Sequence, residues 1–197
     1  IAASNDLDEN LISELKAQGC VINSWGVGTN LITAKDSPSL GGVFKLVGQY
    51  DDGKFVPKIK MSDNVEKISN PGLKNGLRIY DKETGKMKAD IIILEGESID
   101  ESKDLLLQSD KAPWRSRTIP GGTYRVQKML IPIFQKGELV YQKPDLKEIM
   151  AYADQQIQTL WPEYLRLVNP EEMWVQRSTK LSALRDKVLK EESAHFF

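Results

Sequence analysis

Two short stretches of this sequence combine hydroxyl, amide and glycine residues in an order that suits an anion. Ser4-Asn5 follows the apolar Ile1-Ala2-Ala3, and Gly26-Val27-Gly28-Thr29-Asn30 follows the run Val21 to Trp25. Each reads as a strand that stops in a polar turn. The second restarts at Thr29 or Asn30, both of which can cap a helix. Such a turn points backbone N–H groups outward at the positive end of the helix, where a phosphate is favoured. Glycine at 26 and 28 lets a ligand approach the backbone without meeting a Cβ. Two neighbouring strand ends of this kind, Ser4-Asn5 and Gly26 to Asn30, can share one phosphate. The competing reading is conformational, because strand-to-helix turns carry paired glycines for the turn alone.

Other residues with chemical potential read as structural. The only histidine, His195, stands among the last three residues quoted, where order is seldom imposed. The only cysteine, Cys20, reads as a small buried residue entering a strand. No Cys or His pair has metal-site spacing, and neither a Gly-x-Ser-x-Gly elbow nor a Walker-type loop is present. Asp6 and Asp8 are candidate catalytic carboxylates, but helix capping is the better explanation of both. Trp25, Trp114, Trp161 and Trp174 are too scattered for a stacking platform and fit core or interface packing. Trp114-Arg115-Ser116-Arg117 pairs two cations with an aromatic, a combination that serves an anion or a partner subunit but is also common on surfaces. Gly41-Gly42 fits a sharp turn.

The composition bounds what these residues can belong to. With 27 basic and 28 acidic residues among 197, no charge argument favours nucleic acid or an anionic membrane. Apolar residues make up 40%, enough for a packed core, yet no run is long enough to span a bilayer. One cysteine excludes an internal disulfide framework, and no signal peptide is visible, so a cytoplasmic address is expected. The sequence opens on Ile1 in the middle of a strand-like run, which reads as a fragment entered within a larger fold.

Three regions are expected. Residues 1–42 read strand, helix, strand, short helix, with the first helix running from Asp6 to a C′ glycine at Gly19 and the second strand over Cys20 to Trp25. Residues 43–144 are mainly antiparallel: Val43 to Gln49 and Phe55 to Met61 flank the hairpin signal Asp51-Asp52-Gly53-Lys54. Strands follow near Leu77–Tyr80, Ala89–Leu94, Leu105–Gln108 and, as one long run, Tyr124–Phe134. Residues 81–88 read as a polar loop and the acidic stretch 95–104 as solvated surface. Residues 145–197 are helical. Asp145 caps a first helix with Leu146, Ile149, Met150, Ala153, Ile157 and Leu160 on one stripe, Pro162 interrupts it, and a last helix spans Ser178 to Glu191. The fold class is therefore α/β.

The run from Gly26 to Val47 resembles the nicotinate phosphoribosyltransferase family. So do Ile1 to Glu9 before it, and Lys58-Ile59-Lys60-Met61-Ser62 and Glu66-Lys67-Ile68-Ser69-Asn70-Pro71-Gly72 after it, in the same order. The resemblance is clearest to about residue 80 and looser beyond. It implies the end of a type II phosphoribosyltransferase α/β barrel followed by an antiparallel β region and C-terminal helices. It also implies formation of nicotinate mononucleotide and pyrophosphate from nicotinate and phosphoribosyl pyrophosphate, assisted by ATP hydrolysis and Mg²⁺. Carried onto this sequence, Thr29 is a phosphate ligand through its N–H and hydroxyl, Gly28 adds an N–H, Gly26 shapes the same turn, and Ser4 and Asn5 close the other side. The family's phosphorylated histidine and its arginines for the nicotinate carboxylate match nothing here and are expected in a missing N-terminal portion. The resemblance further implies a homodimer, with no nucleic acid and no membrane as partner. The alternative is a structural or subunit-association module whose glycine turn binds nothing.

Overall fold

The computed structural model describes residues 1–64, 67–109, 112 and 114–194. His195, and Glu66 within the family-like segment, lie outside the described residues. The chain divides into two units: Ile1–Phe44 with Arg166–Pro170, and Lys45–Leu165 with the chain from Glu171 onward.

The first unit holds β1 (Ala2–Ser4), α1 (Glu9–Ala17), β2 (Ser24–Gly26) and α2 (Thr29–Ile32). β1 and β2 pair in parallel, Ala2 opposite Ser24, Ala3 opposite Trp25 and Ser4 opposite Gly26. Asp8 caps α1, its carboxylate accepting from Leu11 N–H at 2.7 Å. Gly19 takes the C′ position with φ +80°, a conformation that suits a residue without Cβ. Asp6 does not share the capping role expected of it; it follows Asn5 in a left-handed turn, with φ +94° and +44°. The second strand is shorter than its apolar run, because residues 20–23 leave the ladder. Cys20 therefore sits half-buried outside the strand rather than inside a core.

The second unit is built on hydrophobic alternation. β5 (Lys74–Asp81) and β6 (Met87–Leu94) are antiparallel, β9 (Tyr124–Lys128) flanks β5, and β12 (Val175–Arg177) pairs in parallel with β6. On β6 every second residue, Met87, Ala89, Ile91 and Ile93, is buried. Ala89, Ile91 and Ile93 pack with Leu77, Ile79, Leu107, Ile119 and Tyr124 in one core. α4 (Thr179–Ser193), capped by Ser178, lies against β6 and buries Leu181 and Val188. Smaller antiparallel pairs are β3 (Gly48–Asp51) with β4 (Lys54–Pro57), β7 (Leu105–Gln108) with β8 (Ser116–Ile119), and β10 (Phe134–Gln135) with β11 (Glu138–Leu139). α3 (Leu146–Gln158) precedes a 3-10 turn at Pro162–Leu165. The architecture is thus mixed α/β, with antiparallel ladders and C-terminal helices as expected. Among the described residues no helix is long and apolar enough to cross a membrane.

Several expectations about this region are corrected. The 81–88 loop is a tight connection, since strand pairing reaches Asp81 on one side and starts at Met87 on the other. The strand expected to start at Val43 begins only at Gly48, and the one expected to reach Met61 stops at Pro57. The run 124–134 breaks after Lys128; Pro132 within it has no N–H for a ladder. The acidic stretch 95–104 is not merely solvated surface. Glu97 accepts from Leu94 N–H and the Ser178 hydroxyl, Glu101 from Val126 N–H and Asp104 from Gly121 N–H, at 2.6–2.8 Å. Three of these bonds satisfy backbone donors, at the end of β6 (Leu94), on β9 (Val126) and in the turn before β9 (Gly121). Trp114 is 82% exposed, so of the core or interface packing expected of the tryptophans it does not take the core role.

Asp81 ties the β5–β6 connection. Its carboxylate meets Lys88 Nζ at 2.7 Å and accepts from the Thr84 N–H and hydroxyl. The lysine contact first, then the Thr84 N–H, hold its pKa well below the usual carboxylate range. A carboxyl whose folded pKa is depressed contributes stability that is complete above its unfolded pKa, near 4, and is lost as pH falls below that. Asp81→Asn is therefore expected to lower stability at pH 7 and to flatten the loss of stability between about pH 4 and 2. An acid-unfolding profile with the wild-type slope in that window would count against the tie.

Candidate functional site

β1 and β2 end side by side, so the two polar turns singled out in the sequence are brought together. A Cβ built on Gly26 would stand 3.1 Å from Ser4 Cβ, so glycine here lets the strand ends approach closely. Asn5 turns the chain off β1 with a left-handed backbone that asparagine tolerates. On the other strand Val27 leads to Gly28, which is the N-cap of α2; Thr29 is its first helical residue. The sequence placed the cap at Thr29 or Asn30, and the structure moves it back to Gly28. No side chain caps α2. The Gly28 carbonyl accepts from Leu31 and Ile32 N–H at 3.1 and 3.0 Å, while the N–H groups of Thr29 and Asn30 have no acceptor among the described residues.

Asn30 plays a different part from the one its position suggested. Its side-chain Nδ2 donates to the Leu7 carbonyl at 2.9 Å, and Leu7 is buried beneath the turn. This bond fastens the first turn of α2 to the chain leaving β1, and so fixes the spacing of the two polar turns. Its signal in the sequence was only an amide in the right neighbourhood. Ser4, Asn5 and Thr29 remain exposed, and none of the three side chains has a hydrogen bond among the described residues. Nothing lies within 4 Å of a Cβ built on Gly28, so the space over that N-cap is open. The five residues therefore present two hydroxyls, an amide and free backbone N–H groups on one exposed rim. Each of these groups can donate a hydrogen bond and none is a carboxylate, a combination compatible with an anion. A cavity of about 510 Å³ in the same unit, lined by Asp8, Glu9, Ile12, Val27, Asn30 and Leu31 among others, includes none of the five.

The Trp114 to Arg117 segment lies in the other unit and is arranged differently from its sequence pairing. The Arg115 guanidinium lies 5.8 Å from the ring centre of Trp174, not over Trp114, and 4.0 Å from the Glu171 carboxylate. Arg115 and Arg117 line a groove of about 490 Å³ with Tyr164 and Trp174. Burial, and then Glu171, raise the Tyr164 pKa, which keeps its hydroxyl a donor.

Comparison with known proteins gives a consistent picture. Residues 73–185 match the profile of the nicotinate phosphoribosyltransferase C-terminal domain, more than half of the chain. The match falls largely beyond residue 80, where the sequence resemblance was the looser. A nicotinate phosphoribosyltransferase of Bacillus subtilis is 41% identical over 172 residues, covering 87% of this chain and 35% of that protein. Its namesake in Caenorhabditis elegans is 34% identical over 182 residues, covering 92% of this chain and 31% of that protein. The crystal structure of human nicotinic acid phosphoribosyltransferase superposes with a TM-score of 0.68 at 26% identity, over 96% of this chain and 33% of that one. The chain thus spans about a third of the length of the relatives it matches.

Proposed function

The chain belongs to the nicotinate phosphoribosyltransferase family, and from that premise we propose that it is the C-terminal part of an enzyme that joins nicotinate to phosphoribosyl pyrophosphate. The products are nicotinate mononucleotide and pyrophosphate, in a reaction accompanied by ATP hydrolysis. This part supplies the grip on the 5′-phosphate and ribose side of the sugar substrate. The observation that carries the reading is the rim of unpaired donors at Ser4, Asn5, Gly28 and Thr29, set on adjacent strand ends with Gly26 between them.

The grip works by position. Thr29 offers its N–H and hydroxyl to a phosphate oxygen, with Gly28 leaving room for the approach, and the Ser4 hydroxyl and Asn5 amide close the opposite side. Holding a remote phosphate lets binding energy fix the ribose, so that C1′ is presented to the nicotinate nitrogen along one line. The helix end adds a favourable field for the anion. The rim's donor set does not suit Mg²⁺, which prefers carboxylate and water oxygens, and among the described residues no group of three or more His, Cys, Asp or Glu is placed to hold a metal. No metal step is assigned to this chain. Any Mg²⁺ or ATP site, and the residues that touch nicotinate, are expected outside it. A homodimer in the cytoplasm completes the reading.

The full-length protein is expected to release pyrophosphate from nicotinate and phosphoribosyl pyrophosphate in the presence of ATP and Mg²⁺. The purified 197-residue chain is expected to release none under the same conditions. Turnover by the chain alone would show that the reacting groups lie within it, and would overturn the division of labour. Failure of the full-length protein with nicotinate would overturn the activity itself.

A further inference from the structure

The groove lined by Arg115, Arg117, Tyr164 and Trp174 has walls that are tied from within the second unit. Gln176 on β12 is buried, and its Oε1 accepts from Gln108 N–H on β7 at 2.5 Å and from Trp174 Nε1 at 3.3 Å. Its Nε2 donates to the Leu106 carbonyl at 3.3 Å. A buried amide satisfied in this way fixes Trp174 against the end of β7. The concavity of about 490 Å³ is thus held by bonds inside the chain, and its size is that of a small-molecule site.

Most of the charges along it are answered. Lys88 Nζ lies 2.7 Å from the Asp81 carboxylate, and the Arg115 guanidinium lies near Glu171 and Trp174. Arg117 is different. It lines this groove and a second cavity of about 320 Å³, yet has no hydrogen bond or ion pair among the described residues. The Tyr164 hydroxyl lines the same two cavities and likewise has no hydrogen-bond partner among them. Burial and then Glu171 raise the Tyr164 pKa, and Arg117 works against them, which sets the guanidinium and the phenol close together. One unanswered cation calls for one negative charge. Its planar fork matches the two oxygens of a carboxylate, and the phenol adds a further donor. Glu171 on the same wall disfavours a dianion.

We propose that this groove binds a small organic monocarboxylate, its carboxylate held by Arg117 and the Tyr164 hydroxyl and its apolar body laid against Trp174. The site does not draw on the phosphate grip, so either can fail without the other.

The test uses the full-length protein and benzoate as the probe. Phenylglyoxal, which modifies free guanidinium groups, is expected to label Arg117, and saturating benzoate is expected to slow that labelling by about tenfold, read by mass spectrometry of the Arg117 peptide. Sulfate at the same ionic strength is expected to leave it within twofold. This arm needs no substitution to be tolerated. Absence of labelling without benzoate would mean that the groove is filled in the full-length protein, and would overturn the proposal. So would labelling that benzoate does not slow, equal protection by sulfate, or equal slowing at every arginine. In a second arm, Tyr164→Phe keeps the ring and removes the hydroxyl. The benzoate concentration that halves the Arg117 labelling rate is expected to rise about tenfold or more, the value of a hydrogen bond to a charged group. An unchanged concentration would overturn the two-residue clamp.

Discussion

In the full-length protein, Thr29→Ala is expected to lower kcat/KM for phosphoribosyl pyrophosphate by about ten- to a hundredfold. The magnitude follows from the bond removed. A hydrogen bond to a charged group contributes about 1.5–3 kcal/mol, and each 1.4 kcal/mol is a factor of ten. The Thr29 hydroxyl has no partner among the described residues, so its removal breaks no contact of the fold. The backbone N–H survives in the alanine variant, which is why the loss is partial. Because the contact is made to a remote phosphate, the effect belongs to the sugar substrate. The KM for nicotinate is expected to stay within twofold of wild type, a margin of about 0.4 kcal/mol. Thr29→Ser, which keeps the hydroxyl, is expected to restore most of the loss. Steady-state kinetics with each substrate varied in turn decides the matter. Wild-type kinetics for Thr29→Ala would remove the rim from the binding site.

Ile79→Ala carries the largest expected cost in stability. Ile79 is 0% exposed at the middle of β5, within the cluster formed with Ala89, Ile91 and Leu107. Truncating a fully buried isoleucine removes its transfer free energy and leaves a cavity that a sheet paired on both sides closes poorly, at about 2–5 kcal/mol. Val21→Ala, at an exposed position in the first unit, is expected to stay within about 0.5 kcal/mol of wild type. Thermal unfolding of the full-length variants measures both. Equal midpoints for the two would mean that β5 is not the centre of the packed sheet.

Local chemistry was the legible part of this sequence. Gly19 at C′, Asp8, Asp145 and Ser178 at helix starts, Asp52-Gly53 in a hairpin and Lys136-Gly137 in a second all do what their residue types require over a few positions. The two polar strand ends of the candidate site were legible for the same reason: glycines and hydroxyls mark where a strand stops, and parallel pairing then sets the two ends side by side. Elements defined by distant partners were not. β8, Ser-Arg-Thr-Ile, carries one buried residue and takes its pairing from β7; β12, Val-Gln-Arg, is a strand only because β6 accepts it. The apolar stripe of α3 was legible as a helical repeat, and its periodicity gave no sign that it would stay exposed among the described residues.

The parallel pairing of β12 with β6 has a consequence for how the protein is made. During translation, β6 emerges before β12 and finds β5 on one side, but its other edge stays unpaired until the ribosome has delivered Val175–Arg177. Through that interval the segment Ile91-Ile92-Ile93-Leu94 presents open backbone and aliphatic side chains together, the combination most prone to strand exchange between nascent chains. A transcript cut short before the codon for Val175 would release a polypeptide with its most apolar strand as a permanent edge. Such truncated products are the ones a cell's quality control must clear.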